Sequence, residues 1–168
     1  MGDATAHAIS SDAKFVAASI SDVGVWVWNI HTSQLVVVLE GSGRVSGIVF
    51  SSNGRNLVSF NSSTIKIWDL GVLEELAEEG LEVESCIKMR EGRETSIRSV
   101  ALTSDTRWVL SGSVGGNVPF SNRHTGETQF LIRGYSGSAD YVATSPISEY
   151  FAIGSSDGQV QIWSYNRI

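Results

Sequence analysis

One pattern of about 40 residues recurs four times along the chain and constrains its fold more than any other feature. Each copy has an apolar stretch, a Ser-x-(Asp/Asn/Glu) pattern with a turn, a short apolar strand, a second turn and alternating apolar residues. The copies end at Trp28, Trp68, Ser121 and Trp163, which are spaced 40, 53 and 42 residues apart. Such a repeat predicts an array of similar units, each of which stacks on its neighbours.

The end of each copy has the pattern of a β-strand. Apolar and polar residues alternate in Ile65–Trp68 and again in Val160–Trp163, as a half-buried strand requires. A repeat of about 40 to 45 residues that ends in Trp-Asp, as at Trp68-Asp69, is typical of WD-repeat propeller blades. The sequence therefore predicts an all-β fold of about four β-propeller blades, each a small antiparallel sheet.

The repeat also predicts where the blades begin and end. We expect blade one over 1–44, blade two over 45–96, blade three over 97–138 and blade four over 139–168. Blade two contains an acidic insert over 71–85, and blade four lacks its outer strand. Because a bare sheet edge is unfavourable, we expect a homo-oligomer, in which dimerisation would complete a ring from two half-rings.

The charge of the chain is concentrated in that insert. Lys and Arg number 12 against 18 Asp and Glu, a net charge of −6, and six glutamates lie between Glu74 and Glu84. This balance argues against direct nucleic-acid binding and against docking on an anionic membrane. The insert is predicted to be a solvated loop with one short helix over about 72–79, or alternatively a docking element for a basic partner such as a histone tail.

Little in the sequence indicates an enzyme. His7, His31 and His124 fall in different repeats, and no paired Cys or clustered Asp has the spacing of metal ligands. The single cysteine, Cys86, excludes an intramolecular disulfide and fits a reducing compartment. We therefore expect no catalytic residue, no cofactor and no metal, and an intracellular location.

Six stretches carry a resemblance to a known family. They are 27–32, 52–59, 105–113, 124–129, 150–157 and 162–165. In them the chain resembles the C-terminal part of the fungal Tup-type transcriptional corepressors, relatives of the Groucho class. The resemblance implies a non-catalytic scaffold for protein interaction in the nucleus or cytoplasm, with peptide or protein partners such as histone tails or DNA-binding repressors.

The resemblance also implies roles for individual residues. The aromatic residues Trp28, Trp68 and Trp163 would pack between blades as structural residues. Partners would bind the loops at the channel mouth, where the matching positions are Asp22, Arg44, Ser62, Arg93, Gly115, Tyr135 and Asp157. The chain departs from the family at the His of the usual Gly-His pair, since Ser42, Arg93 and Tyr135 occupy those positions. No blade keeps the full Asp, His and Trp set.

A second function stays open at this point. The chain is alternatively a stand-alone fungal half-propeller that self-assembles and binds a small ligand or a glycan at its channel mouth.

Overall fold

The computed structural model describes residues 4–20, 23–40, 44–71, 89–90 and 96–167. Within these ranges the regular structure is β-strand, apart from one 3-10 turn at Tyr165–Arg167. The strands of the first half are β1 (Ala4–Ile9), β2 (Phe15–Ile20), β3 (Gly24–Asn29), β4 (Leu35–Leu39), β5 (Gly47–Phe50), β6 (Asn56–Phe60), β7 (Thr64–Asp69) and β8 (Met89–Arg90). Those of the second half are β9 (Ile97–Leu102), β10 (Trp108–Ser113), β11 (Val118–Asn122), β12 (Thr128–Ile132), β13 (Ala139–Thr144), β14 (Tyr150–Ser155) and β15 (Val160–Ser164). The predicted all-β class is confirmed.

The strands form four antiparallel sheets, as expected of propeller blades. The first three have the orders β1-β2-β3-β4, β5-β6-β7-β8 and β9-β10-β11-β12, and the fourth is β13-β14-β15. Within each sheet, strands that follow one another in the sequence are therefore neighbours, which short turns permit. Among the described residues the fourth sheet has three strands where the others have four, so β15 is an edge strand there. Of the insert predicted over 71–85, only Gly71 lies among the described residues, and the helix predicted within it lies outside them.

The chain divides into two compact units. The first contains the first sheet, β5, β6 and β7 from Ile65 onward, and the second contains residues 62–64, β8 and the third and fourth sheets. Each unit has its own apolar core between two sheets. In the first unit Val25 and Val27 pack with Ile48, Leu57 and Trp68. The core of the second unit consists of Ala101, Leu110, Val118, Phe120, Ile132, Tyr135, Ala139, Val142, Phe151 and Ile153. Alternation along each strand produces these cores, because every second side chain points to the neighbouring sheet.

The Ser-x-Asp pattern of the repeat builds the turn between the first two strands of a sheet. The Ser10 hydroxyl donates to Asp12 Oδ1 at 2.6 Å, and the same oxygen accepts the Lys14 N–H at 3.0 Å. Ser51 and Asn53 repeat this arrangement in the second sheet. Such side-chain bonds fix a turn locally, which explains why the pattern recurs in the sequence.

Pro119 lies inside β11, which has neighbours on both sides. The ladder from β10 to β11 is made by Trp108, Val109 and Leu110, whose partners are Asn122, Ser121 and Phe120. Pro119 lies beyond the end of that ladder and is paired only with Leu131 of β12. The matching residues of the second and fourth sheets, Lys66 and Gln161, are paired with β6 and β14. The ladder between β10 and β11 is therefore shorter than those ladders, as expected of a residue that has no N–H to donate.

Candidate functional site

Three loops of the second unit meet at one end of the third and fourth sheets. They are the β10–β11 turn (114–117), the β12–β13 loop (133–138) and the β14–β15 turn (156–159), and we call them the loop cluster. A Cβ on Gly116 would lie 2.8 Å from the Tyr135 carbonyl oxygen and 2.6 Å from that of Gly137. Because Gly116 has a φ of 69° and no side chain, the two loops can approach this closely.

Asp157 is the acidic group of the loop cluster, and the exposed Arg133 is its other charged residue. Its Oδ2 accepts hydrogen bonds from the hydroxyl of Ser136 at 2.7 Å and from the Ser136 N–H at 3.3 Å. Its Oδ1 accepts the Gln159 N–H at 3.1 Å. These bonds, above all the one from the Ser136 hydroxyl, lower the pKa of Asp157 below its ordinary 3.8. The side chain is nevertheless exposed, so it presents a fixed negative charge to solvent.

Tyr135 directly precedes Ser136 in the β12–β13 loop, and its phenol is close enough to Asp157 to be affected by that charge. Only 8% of its surface is exposed, and its hydroxyl has no hydrogen-bond partner among the described residues. Burial raises the pKa of this phenol and the charge of Asp157 raises it further, while the neighbouring indole of Trp163 opposes the rise. The side chain is therefore uncharged, and it packs in the core of the second unit.

The structure places the other predicted partner-binding residues as follows. Gly115 belongs to the loop cluster, since it precedes Gly116 in the β10–β11 turn. Arg44 is exposed between β4 and β5 in the first unit. Ser62 is exposed in the β6–β7 turn, in the segment 62–64 that is grouped with the second unit, and it is not part of the loop cluster. Asp22 and Arg93 lie outside the described residues. Of the seven positions, then, the second unit brings together Gly115, Tyr135 and Asp157.

The three tryptophans predicted to be structural have different surroundings. Trp68 is 5% exposed, and its indole N–H donates to the Ser59 hydroxyl at 3.0 Å. Trp163 is 36% exposed and stacks on Phe151 with ring centroids 6.5 Å apart. Trp28 is half-buried and packs at a tilt against Trp26.

Register explains why one tryptophan alone has the serine partner. Leu57 is paired with Trp68, and Ser59 follows it by two positions. The matching residue is Ala18 in the first sheet, because Val16 is paired with Trp28. It is Ile153 in the fourth sheet, because Phe151 is paired with Trp163. Neither Ala18 nor Ile153 can accept a hydrogen bond through its side chain.

Two residues of the loop cluster, Ser136 and Ser156, were not predicted from the sequence. Ser136 holds the Asp157 carboxylate, and the Ser156 hydroxyl accepts the Ser138 N–H at 2.9 Å. Both contacts join loops 18 or 21 positions apart, and serine is common in any loop. No local signal distinguishes these serines from the others in the chain.

Replacing Ser136 with Ala should raise the pKa of Asp157 toward 3.8, because the Ser136 hydroxyl is the largest cause of its lowering. A depressed carboxyl pKa contributes stability above the unfolded-state pKa, and this is lost as pH falls through the folded-state pKa. The variant should therefore lose less stability than the wild type on acidification. Titration of the carboxyl carbons by NMR measures the shift directly.

Asp12 provides an internal control for that titration. The pKa of its carboxyl is also lowered, mainly by the Ser10 hydroxyl, and the Ser136 substitution leaves that bond intact. An unchanged Asp157 pKa in the Ser136→Ala variant, or an equal rise at Asp12, would contradict the assignment.

Metal-binding groups and membrane-spanning helices also bear on function. In the described ranges no group of three or more His, Cys, Asp or Glu side chains is arranged to hold a metal ion. Nor does any helix found there have the length and apolar character needed to cross a bilayer.

Comparison with known proteins identifies the repeat. The family model described as "WD domain, G-beta repeat" matches residues 33–69, 84–119 and 126–164. The first and last of these stretches run from an outer strand through the three strands of the next sheet, β4 to β7 and β12 to β15. The chain belongs to the WD40 family. The repeats defined by the family model are therefore offset by one strand from the sheets of the structure.

Relatives among characterised proteins include transcriptional regulators. The chain is 47% identical over 88 residues to the transcriptional repressor rco-1 of Neurospora crassa, covering 49% of this chain and 15% of that protein. It is 35% identical over 83 residues to the general transcriptional corepressor TUP1 of Saccharomyces cerevisiae, covering 46% and 12%. It is also 29% identical over 161 residues to the U3 snoRNP-associated protein-like EMB2271 of Arabidopsis thaliana, covering 95% and 31%. The chain thus spans less than a third of the length of each. The predicted likeness to Tup-type corepressors is confirmed.

Proposed function

We propose that this WD40 chain is a non-catalytic scaffold that binds a protein partner through the loop cluster, in the manner of a nuclear transcriptional corepressor. The observation that carries the proposal is the exposed Asp157 carboxylate, fixed by Ser136 and Gln159 beside the buried Tyr135 ring. The similarity to a transcriptional repressor and a general corepressor supports the same function.

The geometry favours a basic peptide as the partner. A carboxylate that is already oriented loses little freedom when it pairs with a Lys or Arg side chain. An Asp carboxylate is charged at neutral pH, and the hydrogen bonds from Ser136 and Gln159 favour that charged form. Histone tails are rich in Lys and Arg, and they are the partner class for which we propose this site.

A binding measurement with a matched control tests the proposal. The probe is a fluorescently labelled histone-tail peptide, followed by anisotropy at moderate ionic strength. We expect Asp157→Asn to weaken binding by about tenfold or more, because it removes a fixed charge from the contact. Glu127→Gln is the control, since Glu127 is exposed in the β11–β12 turn at the opposite end of the third sheet.

The two variants change the net charge by the same amount, so a general electrostatic effect would weaken both equally. Equal affinities for wild type and Asp157→Asn would show that the loop cluster is not the binding site. No binding by the wild type would remove histone tails as the partner.

A further inference from the structure

Two largely apolar sheet faces differ from the rest because their side chains are exposed or half-buried. The fourth-sheet face lies opposite the core and consists of Tyr141, Ala143, Tyr150, Ala152, Gly154, Val160 and Ile162. The first-sheet face lies opposite the core of the other unit and consists of His7, Ile9, Val16, Ala18, Ile20, Trp26 and Trp28. Apart from the tyrosines, the one ionisable side chain among the residues named on the two faces is that of His7.

The fourth-sheet face is exposed at positions that are buried elsewhere in the chain. Val160 and Ile162 are 72% and 74% exposed. Their counterparts in the third sheet, at the same distance before the repeat's end position, are Val118 and Phe120, which are 0% and 1% exposed. Those residues are covered because the fourth sheet packs on them. The fourth-sheet face thus has the form of a surface that receives a following sheet.

The first-sheet face is complementary, because it corresponds to the face of the second sheet that packs on the sheet before it. Its Val16 and Trp28 correspond in register to Leu57 and Trp68 of the second sheet. Leu57 and Trp68 belong to the face that packs on the preceding sheet, and they are 0% and 5% exposed. Val16 and Trp28 are only half-buried. The first-sheet face thus has the form of a surface that packs on a preceding sheet.

A pair of glycines strengthens the correspondence. Gly112 in β10 lies against the carbonyl oxygen of Ala139 in β13, which leaves no room for a Cβ. Gly154 is its counterpart in β14, since each follows by three positions the residue paired with the repeat's end position. A Cβ on Gly154 would meet nothing closer than Tyr141 Cβ of its own sheet, at 3.6 Å. The close approach that Gly112 serves in the third sheet is unused at Gly154.

From these correspondences we propose that the fourth-sheet face of one copy packs on the first-sheet face of a second copy. The occupant is a second copy because the chain itself carries the two complementary faces, and the same register positions already pack together twice within it. Burying Val160, Ile162 and Tyr141 removes a contiguous apolar surface from water. The contact joins two different faces, so it closes as a ring or continues as a longer oligomer.

The proposal concerns self-association and does not depend on the function proposed for the loop cluster. Sedimentation velocity of the full chain over a range of concentrations tests it. Ile162→Lys and Ile9→Lys each place a charge on one face at a site that is already exposed, 74% and 63% respectively. Each variant should raise the apparent dissociation constant by at least about tenfold. Ile147→Lys is the matched control, because Ile147 is 92% exposed on neither face, and it should associate like the wild type.

Mixing the two variants separates this contact from any other. The Ile9→Lys variant keeps an intact fourth-sheet face, and the Ile162→Lys variant keeps an intact first-sheet face. We therefore expect a mixture to form a heterodimer that neither variant forms alone. A wild type that stays monomeric at every concentration overturns the proposal, as does a mixture that gains no association. Circular dichroism of each variant establishes that loss of association is not loss of folding.

Discussion

The free energy of unfolding of the Phe120→Ala variant should be about 3–5 kcal/mol lower than that of the wild type, the usual loss when an aromatic side chain in a core is truncated. Phe120 is 1% exposed and lies at the centre of the second unit's core. Its ring centroid is 5.2 Å from that of Trp108, 5.9 Å from that of Phe151 and 6.1 Å from that of Tyr165. Because these rings surround it on several sides, the cavity left by Ala cannot collapse fully. Urea unfolding followed by tryptophan fluorescence measures the loss.

Phe130→Ala is the control for that substitution. Phe130 is paired with Phe120 across β11 and β12, and the two ring centroids lie 6.2 Å apart. It is 39% exposed, so its removal opens no closed cavity and should cost about 1 kcal/mol. Similar losses for the two variants would contradict the central position of Phe120. A small domain is stable by only about 5–15 kcal/mol. A loss of about 3–5 kcal/mol is a large part of that stability and is easily distinguished from a loss of about 1 kcal/mol.

Replacing Gly112 with Ala should destabilise the second unit. The new Cβ would press on the Ala139 carbonyl oxygen, which belongs to the backbone and cannot rotate away. We expect a loss of about 1–3 kcal/mol, the range for overpacking a well-packed interior. Thermal unfolding followed by circular dichroism would show it as a lower midpoint.

The counterpart Gly154→Ala makes the same chemical change in the fourth sheet. The nearest atom to its new Cβ is 3.6 Å away, an ordinary contact. This substitution should be neutral or raise the stability by about 0.5 kcal/mol, because Ala loses less backbone freedom than Gly when a strand forms. Equal effects of the two substitutions would mean that the close approach of β13 to Gly112 is not a constraint.

Much of the architecture was predictable from the repeat. The alternation in Ile65–Trp68 and Val160–Trp163 predicted strands that the structure places at β7 and β15. Period-2 alternation is a local property, and it survives in each copy because each sheet must bury one face. The Ser-x-Asp turns were equally visible, since Ser10 and Asp12 bond to each other and to the backbone next to them.

The loop cluster was predictable only in part. The resemblance singled out Gly115 and Asp157 at the tight-turn position of two blades, and Tyr135 at the position of the usual His. It gave no sign that Tyr135 would be buried or that Ser136 would hold Asp157. Those facts depend on two loops that meet in space while 21 positions apart in the chain. Whether a residue is buried depends on what packs on it, and the residue type alone does not decide that.

The sequence by itself therefore determined the class of the fold, the number of repeats and the residues that end each one. Tertiary structure alone decided which apolar faces are covered. Val118 and Val160 are the same residue type at the same repeat position, yet one is fully buried and the other is 72% exposed. The physical reason is that hydrophobic burial requires a second surface. A strand pattern specifies a face able to pack, and only a neighbouring sheet determines that it does.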